Sequence, residues 1–326
     1  MPGWFVEFVL PPLMVAGGVV VLFWTGDRLV EHAAHLARSL RMPPTVVGAV
    51  VLGFGTSAPE LVFSLIAAAN GDEVLAIANV VGSNIANVGL ILGIAAFLAS
   101  VHVKRNLLRL DLPLGVLAVL VLIVGIGLSP ESDGTVLLMA PMAVVLLSLF
   151  GLYLWLSIRH ARSHRRETEA EPDVQPVVGR DLLWIFISLA GITLGAEMLR
   201  YGAERTALLL GVSEHVIGIT MVALGTSLPE LAATLAAVRK KQVDLAVGNL
   251  AGSNLFNLLF VLGVVTLTRP IPVPEMMRKV ELPIAACFAI LAFPLLRRER
   301  RIGRRQGALL LTLYFVFVLW VCLREA

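Results

Sequence analysis

Ten times between residues 5 and 323 the chain stays predominantly apolar for about the length of a bilayer crossing. The runs are 5–26, 45–69, 74–99, 107–128, 135–158, 181–204, 215–238, 243–268, 280–296 and 306–323. A hydrocarbon core about 30 Å thick takes roughly 20 residues at about 1.5 Å of helical rise each. Lipid offers no hydrogen-bond partner to backbone N–H and C=O groups, so only helices or closed barrels can occupy it. Runs of this length read as helices, and the expected fold is an all-α membrane protein of ten transmembrane helices. With 58% hydrophobic and only 15% charged residues, a water-soluble domain is excluded. The first run lacks a basic leader and a cleavage site, so it reads as a helix and not a signal peptide.

The basic residues report topology. If the helices alternate, one set of loops holds Arg38, Arg41, Lys104, Arg105, Arg109, the cluster from Arg159 to Arg180, the stretch Arg239–Lys241 and the run RRERRIGRR at 297–305. The opposite side holds few. Lys and Arg accumulate on the cytoplasmic side of a membrane protein, which places both termini outside and the 159–180 linker in the cytoplasm of a multi-pass cell-membrane protein. That linker reads as a solvated connection, with no nucleic acid as partner. Cys287 and Cys322 lie in apolar runs and suggest no disulfide. The six histidines show no spacing for a soft metal site, and no nucleophile set or phosphate-binding loop suggests an enzyme.

The chain is written twice. VLGFGTSAPELVFSLIAAANGDEVLAIANVVGSNIANVGLILG (51–93) aligns without gaps to MVALGTSLPELAATLAAVRKKQVDLAVGNLAGSNLFNLLFVLG (221–263), in one unbroken register. Each copy carries five helices, an odd number, so the second enters the membrane in the opposite sense. The expected organisation is a first repeat at 1–158, the linker at 159–180 and a second, inverted repeat at 181–326. In transporters built this way the substrate site forms near the midplane, where interrupted helices of the two halves meet.

Pro59 has no N–H to offer the carbonyl of Gly55 and its ring crowds that carbonyl, and Pro229 stands likewise to Gly225, so helices 2 and 7 must break at the centre. Freed carbonyls are tolerable in a membrane only where they line a polar cavity or bind something. Backbone oxygens from Gly53 to Thr56 and Ala223 to Thr226, with the Ser57 and Ser227 hydroxyls, are hard donors suited to Na⁺ or Ca²⁺. Thr56, Ser57, Glu60 and Ser64 share one helical face, as do Asn79, Ser83 and Asn87; the second copy repeats this with Thr226, Ser227, Glu230 and Thr234, then Asn249, Ser253 and Asn257. Glu60, Glu230, Asn87 and Asn257 all lie about fourteen or fifteen residues into their helices, so they share one depth. No Lys or Arg occupies these helix cores. A cation is therefore the expected compensation for two buried carboxylates, either one Ca²⁺ or several Na⁺ ions spread over adjacent pockets. Glycines 82, 89, 93, 252 and 263 read as helix-packing positions, and Asp27 and Glu197 as capping or gating charges.

GTSAPE with GSNIAN, and GTSLPE with GSNLFN, resemble the two alpha repeats of the sodium/calcium exchanger family within the cation/calcium antiporter superfamily. The resemblance spans nearly the whole chain. It implies exchange of Na⁺ for Ca²⁺ by alternating access, with the ions as cargo and no cofactor. It also implies a cation-binding set of Glu60, Glu230, Asn87, Asn257, Thr56, Thr226, Ser57, Ser227, Ser83 and Ser253, with Gly53 and Ala223 giving backbone carbonyls and Ca²⁺ held at Glu60, Glu230, Thr56 and Thr226. Potassium-dependent relatives carry Asp where this chain has Asn257, which argues against K⁺ use. A linker this short leaves no room for a large regulatory domain, and a monomer is expected to function. A proton-coupled cation antiporter and, from another class, a channel or a membrane scaffold stay open as alternatives.

Overall fold

Helix breaks and caps set this architecture, and both recur in the register of the repeat. A computed structural model describes residues 8–99, 101–102, 110–129, 131–132, 135–164, 177–211, 225–299 and 301–325. Among these, eight helices are long and apolar enough to cross a membrane. They are α1 (Leu10–Ser39), α2 (Pro44–Ala69), α3 (Glu73–Leu98), α4 (Asp111–Leu128), α5 (Ala140–His164), α6 (Val178–Leu209), α8 (Val243–Thr268) and α10 (Arg304–Glu325). Two more lie between them in sequence, α7 (Leu228–Arg239) and α9 (Leu282–Glu299). The first part of the seventh apolar run, 215–224, and most of the linker, 165–176, lie outside the described residues.

α1 outruns its apolar stretch and continues to Ser39. The charged residues after Trp24 interrupt the hydrophobicity of the sequence but not its helical period: Leu29, Val30, Ala33, Leu36 and Ala37 form one buried stripe. α6 runs antiparallel beside α1. Gly18 approaches the carbonyl of Gly195, and Gly202 the carbonyl of Pro11, so closely that a Cβ at either glycine would meet backbone.

α3 and α8 form the centre, each with 72% of its membrane window buried against 28% for α4, α5 and α6. α2 lies against α8 through Gly48 and Gly252, whose missing side chains admit the backbone of the partner helix. Gly89, Gly93 and Gly263 also sit against neighbouring side chains, as expected. Gly82 does not, since a Cβ there would meet nothing within 4 Å.

The α2–α3 and α7–α8 connections end in the same cap. Gly71 (φ 87°) and Lys241 (φ 58°), which occupy matching positions of the two copies, both adopt the left-handed conformation. The following amides, of Asp72 and Gln242, return to the carbonyls of Ala67 and Ala237 at 2.9 and 2.7 Å, closing the helix ends as Schellman motifs. Asp72 then caps α3, accepting a 3.1 Å bond from the Leu75 amide, an interaction typically worth about 1 kcal/mol.

The helices carry small strand additions that the apolar runs conceal. β1 (Val101–His102) pairs antiparallel with β5 (Arg301–Ile302). β2 (Glu131–Ser132), β3 (Thr135–Leu138) and β4 (Ile271–Val273) form a second sheet in that order. The fifth apolar run thus begins as a strand and not a helix, because Val136 and Leu138 alternate into the core opposite Val273 and Ile271. These sheets tie the α3–α4 loop to α9–α10, and the α4–α5 loop to α8–α9.

Candidate ion-binding site

α2 breaks where proline demands it. Ser57 leaves the helical region (φ −90°, ψ 6°) and Ala58–Pro59 restart the helix; Ser227 does the same (φ −88°, ψ 4°) before Leu228–Pro229. Each restart places its glutamate in the first turn, so Glu60 and Glu230 lie just past the break. A short π-helical segment spans Gly48–Leu52 before the first break. Two more begin at or beside the paired asparagines, at Asn87–Ile91 and Phe256–Val261. A wider turn of this kind re-aims a side chain and is common at functional sites; the hydrophobic pattern carries no sign of it.

These breaks and turns gather the expected residues. Glu60, Glu230, Asn87, Asn257, Ser57, Ser83, Ser227, Ser253 and Thr56 are all buried, and Glu60 and Glu230 show no exposure at all. The two glutamates meet across the repeat interface, since Ser57, one turn before Glu60, bonds Glu230. Thr226 is partly buried and its hydroxyl lies 3.4 Å from that of Ser83. Ser253 donates to the carbonyl of Gly53 at 3.2 Å, so that backbone oxygen belongs to the cluster. Ala223 lies outside the described residues.

Mirror-image relays support the two broken helices. Thr56 donates to Asn249 Oδ1 at 3.2 Å, and Asn249 Nδ2 to Thr234 at 3.4 Å. In the other copy Thr226 donates to Asn79 Oδ1 at 3.0 Å, and Asn79 Nδ2 to Ser64 at 3.1 Å. Each asparagine links a break on one half to the helix behind it on the other. Asn87 is held separately, its Nδ2 donating to Asn254 Oδ1 at 2.9 Å.

What these bonds leave over defines the chemistry. Both oxygens of Glu60, Oε2 of Glu230, Oδ1 of Asn87 and Asn257, and Oγ of Ser227 are buried without a hydrogen-bond partner among the described residues. Orphaned buried oxygens cost free energy, and orphaned carboxylates most of all. Among the described residues no basic side chain relieves them: the nearby Arg200 pairs instead with Glu197 and Glu204, at 2.6 and 2.9 Å. Among the described residues no group of three or more His, Cys, Asp or Glu could hold a metal. The donor set is two carboxylates with hydroxyl, amide and carbonyl oxygens, which suits hard cations.

Two crevices flank the cluster. One, of about 670 Å³, runs between α2 and α6, is lined by Pro59, Ile66, Thr193, Glu197 and Arg200, and reaches Thr226. The repeat-related crevice between α1 and α7 holds about 160 Å³ and has only apolar lining, including Leu22, Phe23, Leu231 and Ala232. Glu197 therefore stands at an entrance, while Asp27 pairs with Arg239 of α7; neither caps a helix.

Long apolar helices around a cluster of buried oxygen ligands define a multi-pass membrane transporter. The sodium/calcium exchanger protein family matches residues 10–159 and 181–323, and the chain belongs to that family. It is 34% identical to the inner membrane protein YrbG of Escherichia coli K12 over 97% of each chain. It is 29% identical to the sodium/calcium exchanger MaX1 of Methanosarcina acetivorans over 94% of this chain and 97% of that one. The structure resembles that of the sodium-calcium exchanger NCX_Mj soaked with zero Na⁺ and Ca²⁺, with a TM-score of 0.82 and 30% identity, covering 96% of this chain and 99% of the other. The chain is a transporter and not an enzyme.

Proposed function

We propose that this protein exchanges Na⁺ for Ca²⁺ by alternating access, independently of K⁺, with both ions bound at the cluster around Glu60 and Glu230. One observation carries the reading: among the described residues, the buried atoms left without partners at the repeat interface are almost all oxygens, and they include three of the four glutamate oxygens. Cations supply the missing partners. Ca²⁺ cancels both charges at once, with Thr56, Thr226 and the Gly53 and Ala223 carbonyls completing its shell; several Na⁺ ions do so by spreading over Ser57, Ser83, Asn87 and their copies Ser227, Ser253 and Asn257. An empty cluster leaves two buried like charges, so the protein crosses between its two open states only when loaded.

The antiparallel course of α1 and α6 and the two identical helix caps support ten helices in two inverted repeats, at 1–158 and 181–326 joined by the 159–180 linker. With both termini outside and the linker in the cytoplasm, the wide crevice opens outward and its narrow counterpart faces inward. The protein is then in an outward-open state, acting as a monomer in the cell membrane.

The test is ⁴⁵Ca²⁺ uptake into proteoliposomes. An outward Na⁺ gradient drives uptake and a pH gradient alone does not; uptake driven equally by protons would replace Na⁺ with H⁺ as the coupling ion. Glu60→Gln and Glu230→Gln each insert normally and lose exchange. Normal flux in either variant would reject the site.

A further inference from the structure

Behind the cluster lies a third, smaller cavity that exchange does not require. It holds about 50 Å³ between α3, α4, α8 and α9, where a single water needs about 10–15 Å³ of such space. Its walls come in repeat-related pairs, Asn84 with Asn254, Val88 with Leu258 and Gly115 with Ala285. The cavity therefore sits where the two halves of the chain face each other. It is polar in one respect only: Asn84, Asn254 and the carboxylate of Asp111 line it, and none of its lining residues is basic.

The structural duties of these groups do not account for them. Asp111 stands in the first turn of α4, but that helix has no side-chain cap. Among the described residues, the Tyr153 hydroxyl of α5 is the polar side-chain group beside its carboxylate, and no basic side chain of theirs neutralises it. The sequence places Asp111 in RLDLP (109–113), which the repeat matches with KVELP (279–283), so an acid recurs at this point of both halves. Asn84 is 6% exposed; its Nδ2 donates to the Val80 carbonyl at 2.7 Å, and its Oδ1 has no partner. Asn254 Oδ1 accepts one bond, from Asn87, and an amide oxygen has a second lone pair free.

We propose that this cavity is a binding site for a monovalent alkali cation, held by the Asp111 carboxylate and the Oδ1 atoms of Asn84 and Asn254. All three donors are hard oxygens, which select alkali and alkaline-earth ions over transition metals. The charge selects between those two: one carboxylate is neutralised by one monovalent ion, whereas Ca²⁺ would leave a buried net positive charge. The volume fits sodium with about two to four waters. The site is joined to the transport cluster by one hydrogen bond, because the Asn254 oxygen that would bind the ion also holds Asn87, whose own Oδ1 faces the cluster without a partner. Occupancy therefore stiffens Asn87 without placing the bound ion on the transport path.

Equilibrium binding of ²²Na⁺ to purified full-length protein in choline buffer tests this independently of transport. A Glu60→Gln/Glu230→Gln variant, which lacks the charges of the main cluster, is expected to retain one bound Na⁺ per chain. Adding Asp111→Asn removes that ion. Adding Asn84→Ala instead weakens it about tenfold, the loss expected for one ligand oxygen on a charged group; this second variant decides the matter if Asp111→Asn does not fold, as judged by gel filtration. The site is refuted if the cluster variant binds no ²²Na⁺, if binding survives Asp111→Asn or Asn84→Ala unchanged, or if equimolar Ca²⁺ displaces the ion.

Discussion

Ser57 on α2 donates a 2.6 Å hydrogen bond to Oε1 of Glu230 on α7, while the repeat-related pair, Ser227 and Glu60, makes none. The two halves share a sequence motif and a backbone break but differ at the carboxylate each presents. Glu230 is held by Ser57 and, at 3.4 Å, by Ser253; Glu60 is held by no side chain among the described residues. A molecule built from two like halves that alternates between two states must break its symmetry somewhere, and here it does so at the ion site.

Ser57→Ala removes the shorter of the two bonds that orient Glu230 and also one neutral oxygen from the cluster. A hydrogen bond to a charged group is worth about 1.5–3 kcal/mol, so half-saturating Ca²⁺ in ⁴⁵Ca²⁺ uptake is expected to rise roughly tenfold or more. An unchanged value would mean that this contact does not form in the ion-binding state.

Gly252→Ala places a methyl group against the backbone of Ala49, and α2 and α8 must move apart. Overpacking of this kind costs about 1–3 kcal/mol. Gly82→Ala, at the repeat-related position, enters open space and replaces glycine within a helix, which is neutral or favourable by up to about 1 kcal/mol. Thermal melting in detergent should therefore fall for Gly252→Ala and hold or rise for Gly82→Ala; equal losses would contradict the packing described.

The Asp181 carboxylate at the start of α6 is fully buried and bonds two imidazoles of α1, His32 Nδ1 at 2.9 Å and His35 Nδ1. Trp184 stacks on the His32 ring, with centroids 5.5 Å apart. Leaving largely buried imidazole N–H groups without their acceptor costs about 1–3 kcal/mol. Asp181→Ala should accordingly lower the melting temperature markedly, and Asp181→Asn less, since the amide keeps one acceptor. Both should leave half-saturating Ca²⁺ nearly unchanged, because Asp181 bonds no residue of the cluster; a large affinity change with little loss of stability would show that the clamp acts on ion binding.

How much of this was legible in the sequence depends on whether the signal was local. Glu60 and Glu230 stand out because a carboxylate in an apolar run has no ordinary explanation, and Pro59 and Pro229 announce the breaks through backbone chemistry alone. The strand at Thr135–Leu138 was hidden, because a short apolar stretch next to a helix looks like more helix until its partner at Ile271–Val273 is known. The π-turns at Asn87 and Phe256 are local too, but they shift the backbone without altering the hydrophobic pattern. The bonds from His32 and His35 to Asp181 join residues 149 and 146 positions apart, and nothing in either segment names the other. For Asn84 and Asn254 a signal did exist: each is the asparagine of a GSN triplet, repeated in the same register as the rest of the motif. It was obscured because the neighbouring Asn87 and Asn257 already gave the motif a purpose.

Asn257 tests the charge argument most directly. Its Oδ1 and Nδ2 are both without hydrogen-bond partners, and the residue shows no exposure. Asn257→Asp changes almost no volume and adds a third buried carboxylate beside Glu60 and Glu230. A cluster with two negative charges is balanced by one Ca²⁺, whereas three charges need an additional monovalent ion or a proton to reach neutrality. Ca²⁺ uptake by the variant should therefore become dependent on a second cation present on the same side as Ca²⁺, with K⁺ or Na⁺ raising the rate from a low baseline. The measurement is initial ⁴⁵Ca²⁺ uptake against Na⁺-loaded vesicles, with external choline replaced stepwise by K⁺. In the unmodified protein the same titration is expected to be flat, because the oxygen of a neutral amide completes the site without changing its charge. A flat response in Asn257→Asp as well would place this residue outside the ion cluster despite its burial.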